Sequence, residues 1–465
     1  MSLTSHIWNF LQHQQVRSKM KNAKHWLLLL LLGMGDGLRI HVVGLIALSE
    51  LVVFPLAPFL YLKNRRMFTE AGFSTFYMLV FLMIIGALVS TWYNNTWYFA
   101  CLKHCATLYS IFAYSVVLFL LLKDDFKGIG WLFLGTFLAS IIVIWGFNTA
   151  IHMDESIGTA EFASSNAEEV MSGVRFWSTR VSSILRLPIV TSEYLKLPLA
   201  YPLIALPAAV CVCAAMSISG RSDAAILLAA FALIAIAGKS RKRMMLFGRH
   251  FVIFVISVMV AAVVVKNLYK YAATKGVLGE AAKVKYLAQA KQGESLLRIL
   301  MAGRGEFFIG MRAVLDKPFV GFGAMAEDSR GYWADFIWNY GDIDDYNFFM
   351  RMNEMRLRYG DRLRIPVHSY IVGFWGQSGI VGLVFSVYIF YLVYIFFRRY
   401  ACAIPQWYGY FACTLPWLMW SMLFSPYGHG INGPMLFTAL IMARAVGERR
   451  LQLPVEFEIE ARKHQ

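Results

Sequence analysis

Arginine and histidine residues at three places in the chain have side chains that suit chemistry on an anionic substrate. Arg304 and His368 lie at the two ends of a long polar segment, and Arg221 lies earlier, between two apolar stretches. Guanidinium groups stay charged and bind phosphate oxygens bidentately, so two arginines on one face suit a pyrophosphate. Imidazole is the usual general base near neutral pH. These three side chains are therefore the first candidates for a reactive site.

Each of the three residues also has a structural explanation. The Arg304 side chain could snorkel at a membrane surface or pair with Glu306. Arg221 could be an interfacial anchor paired with Asp223, although an ionisable residue between apolar spans is costly and more often functional. His368 could cap the start of a helix. Residue type and spacing leave both explanations open.

Metal and nucleotide chemistry find little support in the sequence. Cys101, His104 and Cys105 resemble a metal cluster, but they begin an apolar stretch without further ligands. The carboxylates of residues 342–345 are typical of a solvated turn, although they could hold a divalent cation. Neither a P-loop nor a dinucleotide fingerprint occurs. We therefore predict a site that uses no metal and no cofactor.

Composition limits the kinds of protein that this chain can be. Of its 465 residues 58% are hydrophobic and 15% are charged, and the mean hydropathy is +0.54. A soluble protein with these values would expose large apolar patches. The net charge of +16 is better explained by basic cytoplasmic loops and contacts with anionic lipid than by nucleic acid. The six cysteines all fall in or beside apolar stretches and are expected to be core residues.

The elements that position the candidates are membrane helices. Apolar stretches of about 20 residues, each long enough to cross a bilayer, recur along the chain. They predict an all-α, polytopic membrane protein of about eleven or twelve transmembrane helices with one large periplasmic loop. One crossing between residues 122 and 220 cannot be assigned. The predicted divisions are N-terminal helices (1–265), the loop (266–366), C-terminal helices (367–448) and a cytoplasmic tail (449–465).

Within the loop, the apolar residues of segment 298–315 fall at helical spacing, which predicts an amphipathic helix at the membrane surface. Asp316-Lys-Pro318 should end it, and Gly321-Phe-Gly323 should form a tight turn. A basic stretch at residues 351–364 could receive an acidic acceptor or lipid head groups, or be ordinary solvated charge.

Taken in order, these pieces resemble the O-antigen ligase/polymerase family of bacterial envelope glycosyltransferases. The family pattern is an Arg at a periplasmic helix end, an Arg opening a long periplasmic loop, Pro-x-x-Gly-x-Gly, His-Asn or His-Ser, and Gly-x-x-Gly in the next span. The corresponding positions are Arg221, Arg304, Pro318, Gly321, Gly323, His368, Ser369, Gly379 and Gly382. Ser219-Gly-Arg221-Ser departs from the usual Ser-Arg-Gly, and the resemblance covers only residues 219–384.

The resemblance implies a transferase of the bacterial inner membrane with its active site on the periplasmic face. Its donor would be an undecaprenyl-pyrophosphate-linked glycan, and its acceptor a sugar hydroxyl of lipid A-core. Arg221, Arg304 and Arg312 would bind the donor pyrophosphate, and Arg304 and His368 would be catalytic. A polymerase with the same donor chemistry, which adds a second lipid-linked glycan, is the alternative. A transporter or flippase of lipid-linked sugars is a further alternative, but the candidates lie beside one loop and not at mid-membrane depth.

Overall fold

The computed structural model describes residues 24–36, 38–41, 45–123, most of 130–142, 271, 274–275, 305–340, 363–367, 369–395, 418 and 420–423. These parts of the chain are mostly helical, as predicted. The helices are α1 (residues 24–36), α2 (Leu48–Lys63), α3 (Arg65–Glu70), α4 (Ser74–Asn94), α5 (Tyr98–Leu122), α6 (Gly305–Asp316), α7 (Tyr332–Tyr340), α8 (Tyr370–Ser378) and α9 (Ile380–Ile395). Further helical residues lie within 130–142 and 418–423.

Two of the described helices, α4 and α5, are long and apolar enough to cross a membrane. They have 21 and 25 residues, with mean hydropathies of 2.0 and 2.1 over an 18-residue window. Both coincide closely with apolar stretches of the sequence, and they are joined by a short turn at residues 95–97. Each of these two helices is therefore long enough to cross a membrane.

Aromatic rings fill the interior between α4, α5 and the preceding α3. Phe73 is fully buried, and its ring centroid lies 4.8 Å from that of Phe119, 5.4 Å from Tyr77 and 5.5 Å from Phe68. The outer side of α4 carries exposed large apolar side chains, including Phe81, Ile85 and Leu88. This helix therefore has one face packed on protein and one apolar face left open.

A short β-hairpin departs from the all-α prediction. Strands β1 (Arg39–His41) and β2 (Leu45–Ala47) pair antiparallel, with Ile40 opposite Ile46. Helix α1 continues through Gly33 and Gly35 and is described as far as Asp36. Gly33 allows close packing, because a Cβ there would overlap the Leu132 carbonyl oxygen. Small residues allow such close helix contacts.

A second departure lies in the apolar stretch 370–397, whose continuous hydropathy predicts a single span. It is divided at Gly379 into α8 and α9, and Gly379 has a φ of 66°. The backbone N–H of Ile380, the first residue of α9, donates to the Phe319 carbonyl at 2.9 Å. A segment from the predicted loop thus contacts the chain at the point where the two helices are separated. The predicted spans between residues 197 and 265 and from 431 onward, and the domain boundaries at 265 and 448, lie outside the described residues.

Candidate functional site

Helix α6 is the first element of the site, and it ends at Asp316 as the sequence predicted. Its apolar face was expected to lie on the membrane surface. In the structure Ile309, Ala313 and Val314 are buried against protein, in a hydrophobic cluster with Trp333 of α7 and Val372 of α8, whereas Leu315 is 60% exposed. One side of the helix therefore packs on protein, and its placement at a membrane surface stays a prediction.

The residues after α6 insert into the break between α8 and α9. The backbone N–H groups of Phe322 and Gly323 both donate to the Gly376 carbonyl, at 2.7 and 3.0 Å. The indole Nε1–H of Trp375 donates to the Pro318 carbonyl at 2.7 Å, across 57 positions in sequence. We call this contact between residues 318–323 and residues 375–382 the glycine junction. It joins the Pro-x-x-Gly-x-Gly motif directly to the Gly-x-x-Gly motif.

Glycine is required in the junction for both space and backbone conformation. Gly321 has a φ of +78°, and a Cβ there would overlap the Gly376 carbonyl oxygen. A Cβ at Gly379 would likewise overlap the Phe319 carbonyl oxygen, and one at Gly382 the Phe374 carbonyl oxygen. A positive φ is strained for residues with a Cβ. The motif glycines therefore permit two backbone segments to meet.

The junction also contacts the turn between α4 and α5. The Asn94 side chain at the end of α4 donates through Nδ2 to the Gly321 carbonyl at 3.1 Å, and its Oδ1 accepts from Lys317 Nζ at 2.6 Å. Gly323 packs against the Thr96 side chain in the turn. Lys317 and the junction glycines Gly321 and Gly323 thus all contact the same end of the α4–α5 pair.

A cleft of about 1080 Å³ opens between the α4–α5 turn and the segment that follows α6. Its charged lining residues are Lys317, Glu327, Arg330 and Arg364, and its aromatic lining includes Trp97 and Phe322. An isolated antiparallel bridge between Glu327 and Arg364 closes one side of it. Since three cations face one carboxylate, the lining favours an anionic ligand.

Arg330 and Tyr332 share Asp316 at the edge of this cleft. Arg330 Nη1 lies 3.2 Å from Asp316 Oδ2, and the Tyr332 hydroxyl donates to the same oxygen at 2.8 Å. Burial, with the neighbouring Asp316, raises the pKa of Tyr332 to about 12. The tyrosine therefore remains a neutral hydrogen-bond donor near neutral pH.

The three leading candidates, Arg221, Arg304 and His368, lie outside the described residues. Their described sequence neighbours meet, however. Arg304 directly precedes Gly305, the first residue of α6, and Gly310 of the same helix packs against the Pro366 carbonyl. Residues of α6 and of segment 365–372 share the hydrophobic cluster. The described residues that follow Arg304 and those that flank His368 are therefore packed together.

Two other predicted site residues have assigned partners. Arg312 Nη2 forms an ion pair with Asp335 Oδ2 of α7 at 3.0 Å and does not line the cleft. Ser369 is the N-cap of α8: its hydroxyl accepts from the Val372 N–H at 3.3 Å and donates to the Met422 carbonyl at 2.7 Å. Helix capping explains Ser369 by itself, and the role of Arg312 stays a prediction.

The sequence reading missed Lys317 and Asn94 as partners in the site. Lys317 was predicted only as part of a helix end, and Asn94 was not identified as a candidate. Arg364 was noted within a basic stretch, without a location. The signal that could have identified Lys317 is its position directly before the Pro-x-x-Gly-x-Gly motif.

The cysteine and histidine group on α5 takes part in helix packing. His104 Nε2 lies 2.8 Å from Ser378 Oγ, which ties α5 to the end of α8, and the Cys101 and Cys105 sulfurs are 4.0 Å apart. Within the described ranges, no group of three or more His, Cys, Asp or Glu side chains is arranged to hold a metal ion.

No family model, curated protein or solved structure matches this chain. The resemblance drawn from the motifs therefore rests on the residues themselves and on the contacts that they make.

Proposed function

We propose that this chain is a polytopic inner-membrane glycosyltransferase that moves a glycan from an undecaprenyl-pyrophosphate donor to a sugar hydroxyl of lipid A-core. The observation that carries the proposal is the glycine junction. It connects two motifs of the resemblance by backbone hydrogen bonds, next to a cation-lined cleft. A transporter would not need these motifs to meet at one end of a helix pair.

In the proposed reaction the acceptor hydroxyl oxygen attacks the anomeric carbon of the donor sugar. The bond between that carbon and the pyrophosphate oxygen breaks, and the lipid pyrophosphate leaves with the electron pair. Arg221 and Arg304 stabilise the negative charge that grows on the leaving group. His368 orients the hydroxyl and accepts its proton. Because Arg312 is already paired with Asp335, we assign it a secondary part in holding the donor.

The proposed membrane setting is supported by α4 and α5 and by the turn between them. Trp92, Tyr93, Trp97 and Tyr98 around that turn are all exposed. Aromatic side chains of this kind favour the membrane–water interface. The cleft beside them would then lie at the depth of lipid head groups, where a lipid-linked donor presents its pyrophosphate. We propose that this is the periplasmic face.

Purified full-length protein with a lipid-linked donor and lipid A-core tests the reaction. We expect His368→Ala and Arg304→Ala each to reduce transfer by roughly a hundred-fold or more, because each removes a group that acts in the transition state. Arg66→Ala is the matched control, since Arg66 pairs with Glu70 on the exposed surface of α3. EDTA should leave the rate unchanged. Full activity of both site variants would refute the mechanism, and loss of activity in EDTA would refute metal independence.

A polymerase with the same donor chemistry is the alternative, and the surface polysaccharide of a deletion strain separates the two. A ligase deletion leaves lipid A-core without any repeat unit. A polymerase deletion leaves lipid A-core with a single unit. The donor site is common to both activities, so the mutants above do not distinguish them.

A further inference from the structure

Two cations in the cleft lack a carboxylate partner among the residues that the structure describes. Lys317 Nζ is bonded to the neutral amide oxygen of Asn94 at 2.6 Å. The hydrogen bond of Arg364 Nη1 goes to the Met325 thioether sulfur at 3.6 Å, which is a weak acceptor. By contrast, Arg330 in the same cleft is paired with Asp316. Among the described residues, the cleft therefore holds two cations without an ion-pair partner, together with one carboxylate, Glu327.

Lys317 is held in a position where a bound anion would stabilise its charge. Its side chain is half-buried, and Asn94 fixes the ammonium group at the end of α4. Removing part of the water from a charge is costly unless a counter-charge is supplied. Asn94 is itself engaged on Gly321, so the lysine is oriented through the glycine junction. The arrangement is that of a preformed site and not of a freely moving surface lysine.

The size and the surroundings of the cleft indicate which anion it suits. A volume of about 1080 Å³ admits a group much larger than a single ion. Trp97 and Tyr98 line it and are 56% and 60% exposed. Such residues mark head-group depth in a membrane protein, where the anionic groups are mostly phosphates. A guanidinium fork and an ammonium group in the same lining both match phosphate oxygens.

We propose that Lys317 and Arg364 bind a phosphate group in this cleft, and that they do so independently of the proposed donor arginines Arg221 and Arg304, which lie outside the described residues. The phosphate belongs either to a phospholipid head group or to a phosphorylated group outside the bilayer. The proposal does not depend on glycosyl transfer, because it concerns binding without turnover.

Two measurements on the full chain separate the two sources. In the first, the protein is released from bilayers of phosphatidylglycerol and phosphatidylcholine, and native mass spectrometry counts the retained phosphatidylglycerol. In the second, detergent-purified protein is titrated with inorganic phosphate in a calorimeter. We compare wild type with Arg364→Gln, Lys317→Met and the control Arg66→Gln. Arg364 has an exposed side chain, so its variant should fold even if Lys317→Met does not.

We expect Arg364→Gln to weaken binding about ten-fold or more in whichever measurement detects it, because it removes a charge-assisted pair of hydrogen bonds. Arg66→Gln should bind as wild type does, and Arg304→Gln should retain this binding even though it loses transfer. Retention of lipid identifies a head group, and binding of free phosphate alone identifies the second source. Equal binding by wild type and Arg364→Gln in both measurements would overturn the proposal, and so would no binding by wild type.

Discussion

The α4–α5 pair and the glycine junction are held together in different ways. Between α4 and α5, side chains supply the contact: buried rings such as Phe73 and Phe119 interlock, and the backbone groups are bonded within each helix. In the junction, main-chain groups supply it, with carbonyls of residues 318, 319 and 376 accepting from the opposite segment. The first contact tolerates small shifts, whereas the second requires the absence of side chains.

This difference has a consequence for function. A contact built from glycines and main-chain hydrogen bonds fixes the relative position of α6, α8 and the α4–α5 turn. Lys317 and Asn94 are thereby set at the edge of the cleft. Precise positioning of charged groups is what transition-state stabilisation requires. The junction is therefore the part of the molecule where sequence changes should be least tolerated.

The largest effect is expected from Gly321→Ala. The new Cβ would meet the Gly376 carbonyl and would also hold alanine at a positive φ. We expect a loss of about 3 kcal/mol or more in the free energy of unfolding in detergent, or failure to accumulate.

Gly331→Ala is the matched control for this prediction. Gly331 has a similar φ of +74°, but a Cβ there would meet nothing closer than Ala334 Cβ at 3.9 Å. The variant should lose about 1 kcal/mol in the free energy of unfolding, which is the cost of holding alanine at a positive φ. Equal losses for the two variants would mean that close approach in the junction contributes nothing.

A smaller effect is expected from Phe73→Ala between the helices. The mutation removes a fully buried ring that packs on three others. In a bilayer the transfer of apolar surface from water is absent, so the loss is mainly of packing, and we expect about 2 kcal/mol. Phe81→Ala, at a 63% exposed position on α4, should change the free energy of unfolding by less than about 0.5 kcal/mol. The reverse order would show that α4 packs through its other face.

The smallest effect concerns the link between the two regions. A double-mutant cycle with Asn94→Ala and Lys317→Met, read as unfolding free energy, should give a coupling of about 1 kcal/mol because the hydrogen bond is charge-assisted and half-buried. The exposed Arg66–Glu70 pair on α3 should give about 0.5 kcal/mol or less. If the Asn94–Lys317 coupling were zero, this hydrogen bond would not contribute to holding Lys317 at the α4–α5 turn.

The same contrast explains what could be predicted from the sequence. Helices α4 and α5 were predictable because apolar stretches of bilayer length have few alternatives. The end of α6 at Asp316 was also predictable, from Pro318 and the glycines that follow. Composition and local signals were sufficient for these elements.

Long-range contacts were not predictable in the same way. The stretch 370–397 looks like one helix because its hydropathy is continuous. The break at Gly379 depends on contacts with a distant segment, such as the hydrogen bond between Trp375 and Pro318, which are 57 positions apart in the sequence. The pairing of β1 with β2 and the pairing of Arg312 with Asp335 likewise depend on the residues that lie opposite in the folded chain. Residue types alone do not specify such partners.

The central claim is that the α4–α5 turn and the segment after α6 form one site on the outer face of a membrane. Cysteine labelling in intact cells with a membrane-impermeant maleimide tests it, using single cysteines in a background without the six native ones. Asn95→Cys in the turn and Ser329→Cys in the segment are both at exposed positions. Arg66→Cys on α3, which precedes the other end of α4, is the control that we expect on the cytoplasmic side. We expect the first two to be labelled from outside, and Arg66→Cys to be labelled only after the membrane is permeabilised. Labelling of Asn95→Cys and Ser329→Cys from opposite sides, or of both only after permeabilisation, would contradict the claim.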